Sequence, residues 1–242
     1  MKVRSVSLRP RWLLRAFFAM IFMAVTGAAA ADCPDRAVSL DHIVWTVPDL
    51  ETAAADFAAR AGVRPAYGGE HTNGTTANFL VALGPCSYLE IVGPKKGVSL
   101  DMLGDQAPTY ARGTVAGFAF GMRDSDEAAE TLKMLGLSVG APRDGGREKP
   151  DGTRLKWRTV NLSGLDFGEG TFAFAIRWLS EPHPAETSPQ GVRLRHLILS
   201  GKTAAKLDPL VEGASLPILI EKDAAPDIRV VLETPNGPMT IE

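Results

Sequence analysis

The stretch Ala37–Val47, AVSLDHIVWTV, followed at once by Pro48-Asp49, decides how the chain folds. Its β-branched and aromatic residues make it a strand, and the Pro-Asp pair that ends it leaves Asp49 as a helix N-cap. Leu50, Ala53, Ala54, Phe57, Ala58 and Ala61 then recur at helical spacing until Gly62 stops them. A short extended piece near Val63–Tyr67 and a polar loop after Gly68-Gly69 lead into Thr76–Leu83 (TANFLVAL) and Ser87–Val92 (SYLEIV). The order from Ser39 to Gly93 is therefore strand, helix, three strands: βαβββ.

The order returns. Thr114–Met122 (TVAGFAFGM) reads as a strand, Asp124 opens a helix that runs to Leu135 and stops at Gly136, and Arg154–Leu162 and Thr171–Leu179 are extended. Aligning the two strand ends places Gly117 where the first unit has His42. After the proline-rich link Glu181–Pro189, Leu194-Arg195-His196-Leu197-Ile198 echoes Leu40-Asp41-His42-Ile43-Val44 and opens a third, shorter copy over residues 190–242. Repetition at this period sets the architecture. It predicts an α+β fold with βαβββ modules at 37–93 and 113–180.

The first 31 residues read as an address. Arg4, Arg9, Arg11 and Arg15 precede a short apolar run, Ala16–Ala24, and Ala29-Ala30-Ala31 supplies a cleavage site. A Sec-type signal peptide cleaved near Ala31 predicts a periplasmic or secreted protein that is soluble once processed. A formal net charge of −2 without a basic stripe argues against nucleic acid as the partner. Cys33 and Cys86 are the only two cysteines; in an oxidising compartment the expectation is a structural disulfide.

Parity sorts the chemistry, because strand side chains alternate between faces. His42, Val44 and Thr46 share one face of the first strand, while the greasier Ile43, Trp45 and Val47 face the helix. On the unit's last strand Leu89 and Ile91 take the helix side and Tyr88 and Glu90 the other. If these strands are neighbours, His42 and Glu90 converge on a concave surface. The pair suits a divalent metal, an acid–base couple, or a buried hydrogen-bonded pair with no chemistry, and spacing does not choose between them.

Leu40-Asp41-His42, the glutamate on the fourth strand and the string Gly68-Gly69-Glu70-His71-Thr72-Asn73-Gly74-Thr75-Thr76-Ala77-Asn78 resemble the glyoxalase-like group of the vicinal oxygen chelate superfamily. The resemblance covers roughly Ser39–Pro184. It implies paired modules curling into a curved, cup-like mixed β-sheet with helices on the outside, where relatives perform metal-dependent glyoxalase, ring-cleaving dioxygenase or epimerase chemistry or only bind ligands. A metal there takes ligands from the first and fourth strands of two modules. The first module matches with His42 and Glu90; the second brings Gly117 and the neighbourhood of Arg177, which cannot ligate. A metal set of His42, Glu90 and His196 would require the first and third copies to face each other.

Other residues have a place in the same expectation. His71 sits in a glycine-rich loop where core packing is not expected, which makes it, with Glu90, the catalytic candidate. His42, Asn78, Tyr88, Arg177 and His183 are ligand-binding candidates. Arg177, between Ile176 and Trp178, is expected to be buried against an anion. Tyr67, Tyr88 and Trp178 are candidates for an apolar wall. Gly145-Gly146 with Arg143, Arg147 and Lys149 lacks the ending of a phosphate loop. The expected function is an exported protein that binds a small oxygenated or carboxylate-bearing molecule in a sheet-lined cup. Divalent-metal-assisted lyase or isomerase chemistry would accompany binding, and a homodimer would fit. The alternative is a non-catalytic binder of the same fold.

Overall fold

A computed structural model of the chain describes residues 38–123 and 125–242, without the side chains of 125–128. The expected signal segment and Cys33 lie outside the described residues. Cys86 is half-buried in the turn between the third and fourth strands.

The first module runs β1 (Val38–Thr46), α1 (Leu50–Ala61), β2 (Ala66–Glu70), β3 (Thr76–Gly84) and β4 (Ser87–Pro94). Asp49 caps α1 by accepting from the Thr52 amide at 2.8 Å, and Gly62 ends it at a φ of 73° that suits glycine. A 3-10 segment (Leu100–Gln106) and α2 (Ala107–Arg112) follow. The second module comprises β5 (Val115–Met122), α3 (Ser125–Met134), β6 (Ser138–Val139), β7 (Arg143–Glu148), β8 (Arg154–Ser163) and β9 (Phe172–Trp178). After α4 (Pro184–Thr187), the last segment adds β10 (Arg193–Ser200), α5 (Asp208–Gly213), β11 (Ile218–Glu221), β12 (Asp227–Thr234) and β13 (Gly237–Ile241).

One nine-stranded sheet holds both modules in the order β2-β3-β4-β1-β5-β9-β8-β6, with β7 also on β8. It curls until its far ends meet: His71, just past β2, bridges Arg147 on β7. The cup that the resemblance implies is therefore closed by a seam. Ile43, Trp45, Phe57, Leu89, Ile91, Phe118 and Phe120 form the core between this sheet and its outer helices. A second sheet, β11-β10-β12-β13, continues that core with Leu197, Val230 and Leu232. Its element order repeats βαβββ, but the pairing differs. The parallel neighbour of β10 is β11, directly after the helix, whereas that of β1 is β4.

Candidate functional site

Strict alternation would put Asp41 and His42 on opposite faces of β1. A bulge changes this. Against β5, Leu40 pairs with Phe120 and His42 with Ala119, so Asp41 is an extra residue with no partner. Leu40 and Ile43 both reach the core, and Asp41 and His42 are both free to reach the cup. Gly121 makes room: a Cβ there would come within 2.6 Å of Ser39 Oγ and 3.2 Å of Asp41 Oδ2.

Asp41 gathers three donors. His42 Nδ1 lies 2.6 Å from Oδ1, while Trp178 Nε1 and His183 Nε2 reach Oδ2 at 3.0 and 3.1 Å. Because a carboxylate only accepts, His42 carries its proton on Nδ1 and turns Nε2 inward. His183 Nδ1 accepts from the Ala185 amide, which fixes its proton on Nε2. Burial pushes the Asp41 carboxyl up, but the hydrogen bonds from His183 and His42 outweigh it. The group is held below the usual carboxylate range.

Facing His42 across a 3.7 Å gap is Glu90 Oε2. That separation is too long for a hydrogen bond. Glu90 Oε1 is engaged instead: Asn78 Nδ2 donates at 2.6 Å and His71 Nε2 at 3.2 Å, with His71 Nδ1 turned to Thr76 Oγ1 at 2.8 Å. Burial would raise the Glu90 carboxyl; the His71 hydrogen bond, the charges of His71 and His42 and the Asn78 bond lower it to about 2. Asn78 Oδ1 is buried without a partner, tucked where a Gly68 side chain would stand. Tyr88 stacks on the His42 ring with centroids 4.7 Å apart, and burial with the Glu90 and Asp41 charges pushes its hydroxyl well above the ordinary range. Tyr110, on α2 at the other end, rises to about 12 through burial and the Glu90 charge.

These groups border a cavity of about 100 Å³ lined by His42, His71, Tyr88, Glu90, Arg147, Trp157, Phe174, Ile176 and Trp178. Its polar half comes from β1, β4 and the seam. Its apolar half comes from β8 and β9, with Phe174 edge-on to His42 at 5.2 Å and Trp157 edge-on to Trp178 at 5.4 Å. The strand between them, β5, turns only Gly117, Ala119 and Gly121 to the cup, since Phe118 and Phe120 occupy the core. Gly117 is required there, because a Cβ would sit 2.5 Å from the Phe172 carbonyl and 2.8 Å from its ring.

The profile of the glyoxalase-like domain family matches residues 40–214. The chain belongs to the glyoxalase-like domain family. Among solved structures, a hypothetical protein from Staphylococcus aureus is 16% identical with a TM-score of 0.57, covering 85% of this chain and 86% of that one, a likeness of fold. Methylmalonyl-CoA epimerase from Mycobacterium tuberculosis is 17% identical with a TM-score of 0.42, over 64% of this chain and 97% of that one. The Streptomyces coelicolor epimerase in complex with 2-nitronate-propionyl-CoA is 20% identical with a TM-score of 0.40, over 60% and 98%. No curated protein matches the chain.

In this glyoxalase-like cup the donor set does not fit the divalent metal that the superfamily resemblance implies. Among the described residues no three histidine, cysteine or acidic side chains are grouped to hold one. Glu90 Oε1 already accepts two hydrogen bonds, and the facing strand offers glycines, alanine and then Phe174. His196, expected as a third ligand, stands on β10 in the other sheet and is not among the cavity's lining residues. The strand pairing explains this: with β11 beside β10, the last segment continues the core instead of facing the first module.

Of the other expected site residues, Glu90, His42, Asn78 and Tyr88 converge as strand parity requires, and His71 joins them from its glycine-rich loop. His183 joins through Asp41 from the turn before α4. Arg177 requires a correction. It is exposed, because the cavity-facing positions of β9 are Phe174, Ile176 and Trp178. Tyr67 is 40% exposed and packs edge-on to Phe79, away from the cavity wall. Sequence reasoning missed Asp41, whose position strict alternation would turn away from His42, and the buried arginine, Arg147. Polar, glycine-rich Arg143–Glu148 carries no strand signal of its own, although its position before β8 in the repeat corresponds to a module strand.

Proposed function

We propose that this exported glyoxalase-like protein binds a small oxygenated molecule in the closed cup and moves a proton at the carbon beside its carbonyl, an isomerase-class reaction. One observation carries the reading: Asp41 holds His42 so that Nε2 faces both the cavity and the Glu90 carboxylate. His42 then takes the proton from carbon, and the C–H electron pair moves into the carbonyl to give an enolate. The imidazolium exchanges its proton with solvent and then gives one back to the enolate, at the same carbon or, through the enediol, at the neighbouring one, so one proton leaves and one returns with no net change in atoms. Asp41 and Glu90, both ionised, favour the imidazolium form that appears midway. Glu90, held at about 2, is a weak base and acts here through its charge. Tyr88, kept protonated, faces the cavity as a hydrogen-bond donor. A cavity of about 100 Å³ is well below the size of a drug-sized ligand site, so the reacting molecule is small. The chemistry requires no metal. The export part of the proposal is supported by the arginine-rich start, Ala16–Ala24 and Ala29–Ala31.

The test is deuterium uptake from heavy water into pyruvate, 2-oxobutyrate and glyceraldehyde, followed by NMR. The wild type should exchange at least one of them, EDTA should not abolish it, and His42→Ala should slow it about 100-fold or more. Saturable binding of these compounds with no exchange above the His42→Ala level would reject proton transfer in favour of a non-catalytic binder. Exchange that vanishes with EDTA and returns with a divalent cation would reject the metal-free reading.

A further inference from the structure

Arg147 is only 4% exposed. Of the five N–H donors on its guanidinium, one on Nη1 goes to the Gly68 carbonyl across the seam, and no carboxylate pairs with it among the described residues. Glu90, the acidic group that lines the same cavity, is held through Oε1 by Asn78 and His71 and turns Oε2 toward His42 rather than toward Arg147. A buried cation without a counter-ion is costly, and an arginine never sheds its proton to escape. The surface it does present lines the cavity beside His71, Glu90 and Trp157. Elsewhere β7 presents Arg143, Asp144 and Glu148 to solvent; Arg147 alone among its charged residues is turned inward.

We propose that Arg147 is the anion-recognition residue of this cavity and that the ligand is a small monocarboxylate. Its carboxylate seats on the guanidinium, and its next two or three carbons lie against Phe174 and Ile176 within reach of His42 Nε2. The seam explains how the site is assembled. The bridge between His71 and Arg147 ties the glycine-rich loop to β7, so the residue that recognises the anion is delivered by closure of the sheet itself. Gly69 permits that approach, since a Cβ there would meet the Glu148 carbonyl at 2.4 Å. The substrate class rests on reading the cavity as the ligand site, but not on the proton-transfer chemistry.

Calorimetry with pyruvate and propionate, against pyruvamide and propionamide, tests it on the purified protein. The wild type should bind the acids about 10- to 100-fold more tightly than the matching amides, as a charge-assisted contact requires. Arg147→Met should erase that preference while leaving amide binding in place, Arg147→Lys should retain part of it, and Arg177→Ala should leave it unchanged. Equal affinity of the wild type for acids and amides, or no binding of either, overturns the inference, and this comparison needs no variant to fold. A folded Arg147→Met that keeps the acid preference also overturns it. Acid-selective binding lost in Arg147→Met but with no deuterium exchange in the wild type leaves Arg147 assigned and rejects only the proton-transfer step.

Discussion

Replacing Glu90 by glutamine removes one charge from the centre of the cup and keeps its shape, and its effect on stability should depend on pH in a calculable way. The Glu90 carboxyl sits at about 2 in the folded protein against an ordinary value of 4.5. Its side chain is 13% exposed, so solvent screens it little. A folded value below the unfolded one means that ionised Glu90 stabilises the fold at neutral pH and that this contribution fades as pH falls through 4.5 toward 2. Linkage gives a loss of about 2 kcal/mol by pH 3 and about 3 kcal/mol near pH 2. Asp41 and the surface acids titrate in both proteins, so the informative quantity is the difference between wild type and Glu90→Gln. Urea unfolding at intervals from pH 7 to pH 3 measures it. The wild-type curve should fall more steeply, by about 2 kcal/mol over that range. Parallel curves, differing by a constant, would show that His71, His42 and Asn78 do not hold the carboxylate as the geometry indicates.

Two further outcomes are expected. Gly121→Ala should destabilise the protein by about 1–3 kcal/mol and slow any exchange reaction, because its methyl group would enter the space of Ser39 Oγ and Asp41 Oδ2; unchanged unfolding and exchange would show that the bulge tolerates the displacement. Amino-terminal sequencing of the protein recovered from an expressing Gram-negative host should begin at or near Asp32 in the periplasmic fraction, and a cytoplasmic chain starting at Met1 would refute export.

Much of the first module could be read directly. Its strand and helix patterns differ in period, Asp49 and Gly62 mark the helix ends, and parity groups His42, Tyr88 and Glu90 on one face before any contact is known. The second module was legible in its apolar strands, β5, β8 and β9, which carry their own pattern. It was illegible in β7, whose sequence RDGGRE has little strand preference and is extended because β8 pairs with it.

Sequence alone therefore determined the βαβββ order of the first module, its echo in the apolar strands that follow, and the shared face of His42, Tyr88 and Glu90, since these follow from local pattern and residue identity. Tertiary structure decided the rest. A bulge is a relation between two strands, so Asp41 could be turned beside His42 only by its register against β5. Arg147 enters the cavity, and Arg177 does not, because the sheet closes on itself between His71 and β7, a contact between segments some 70 residues apart that no local pattern encodes.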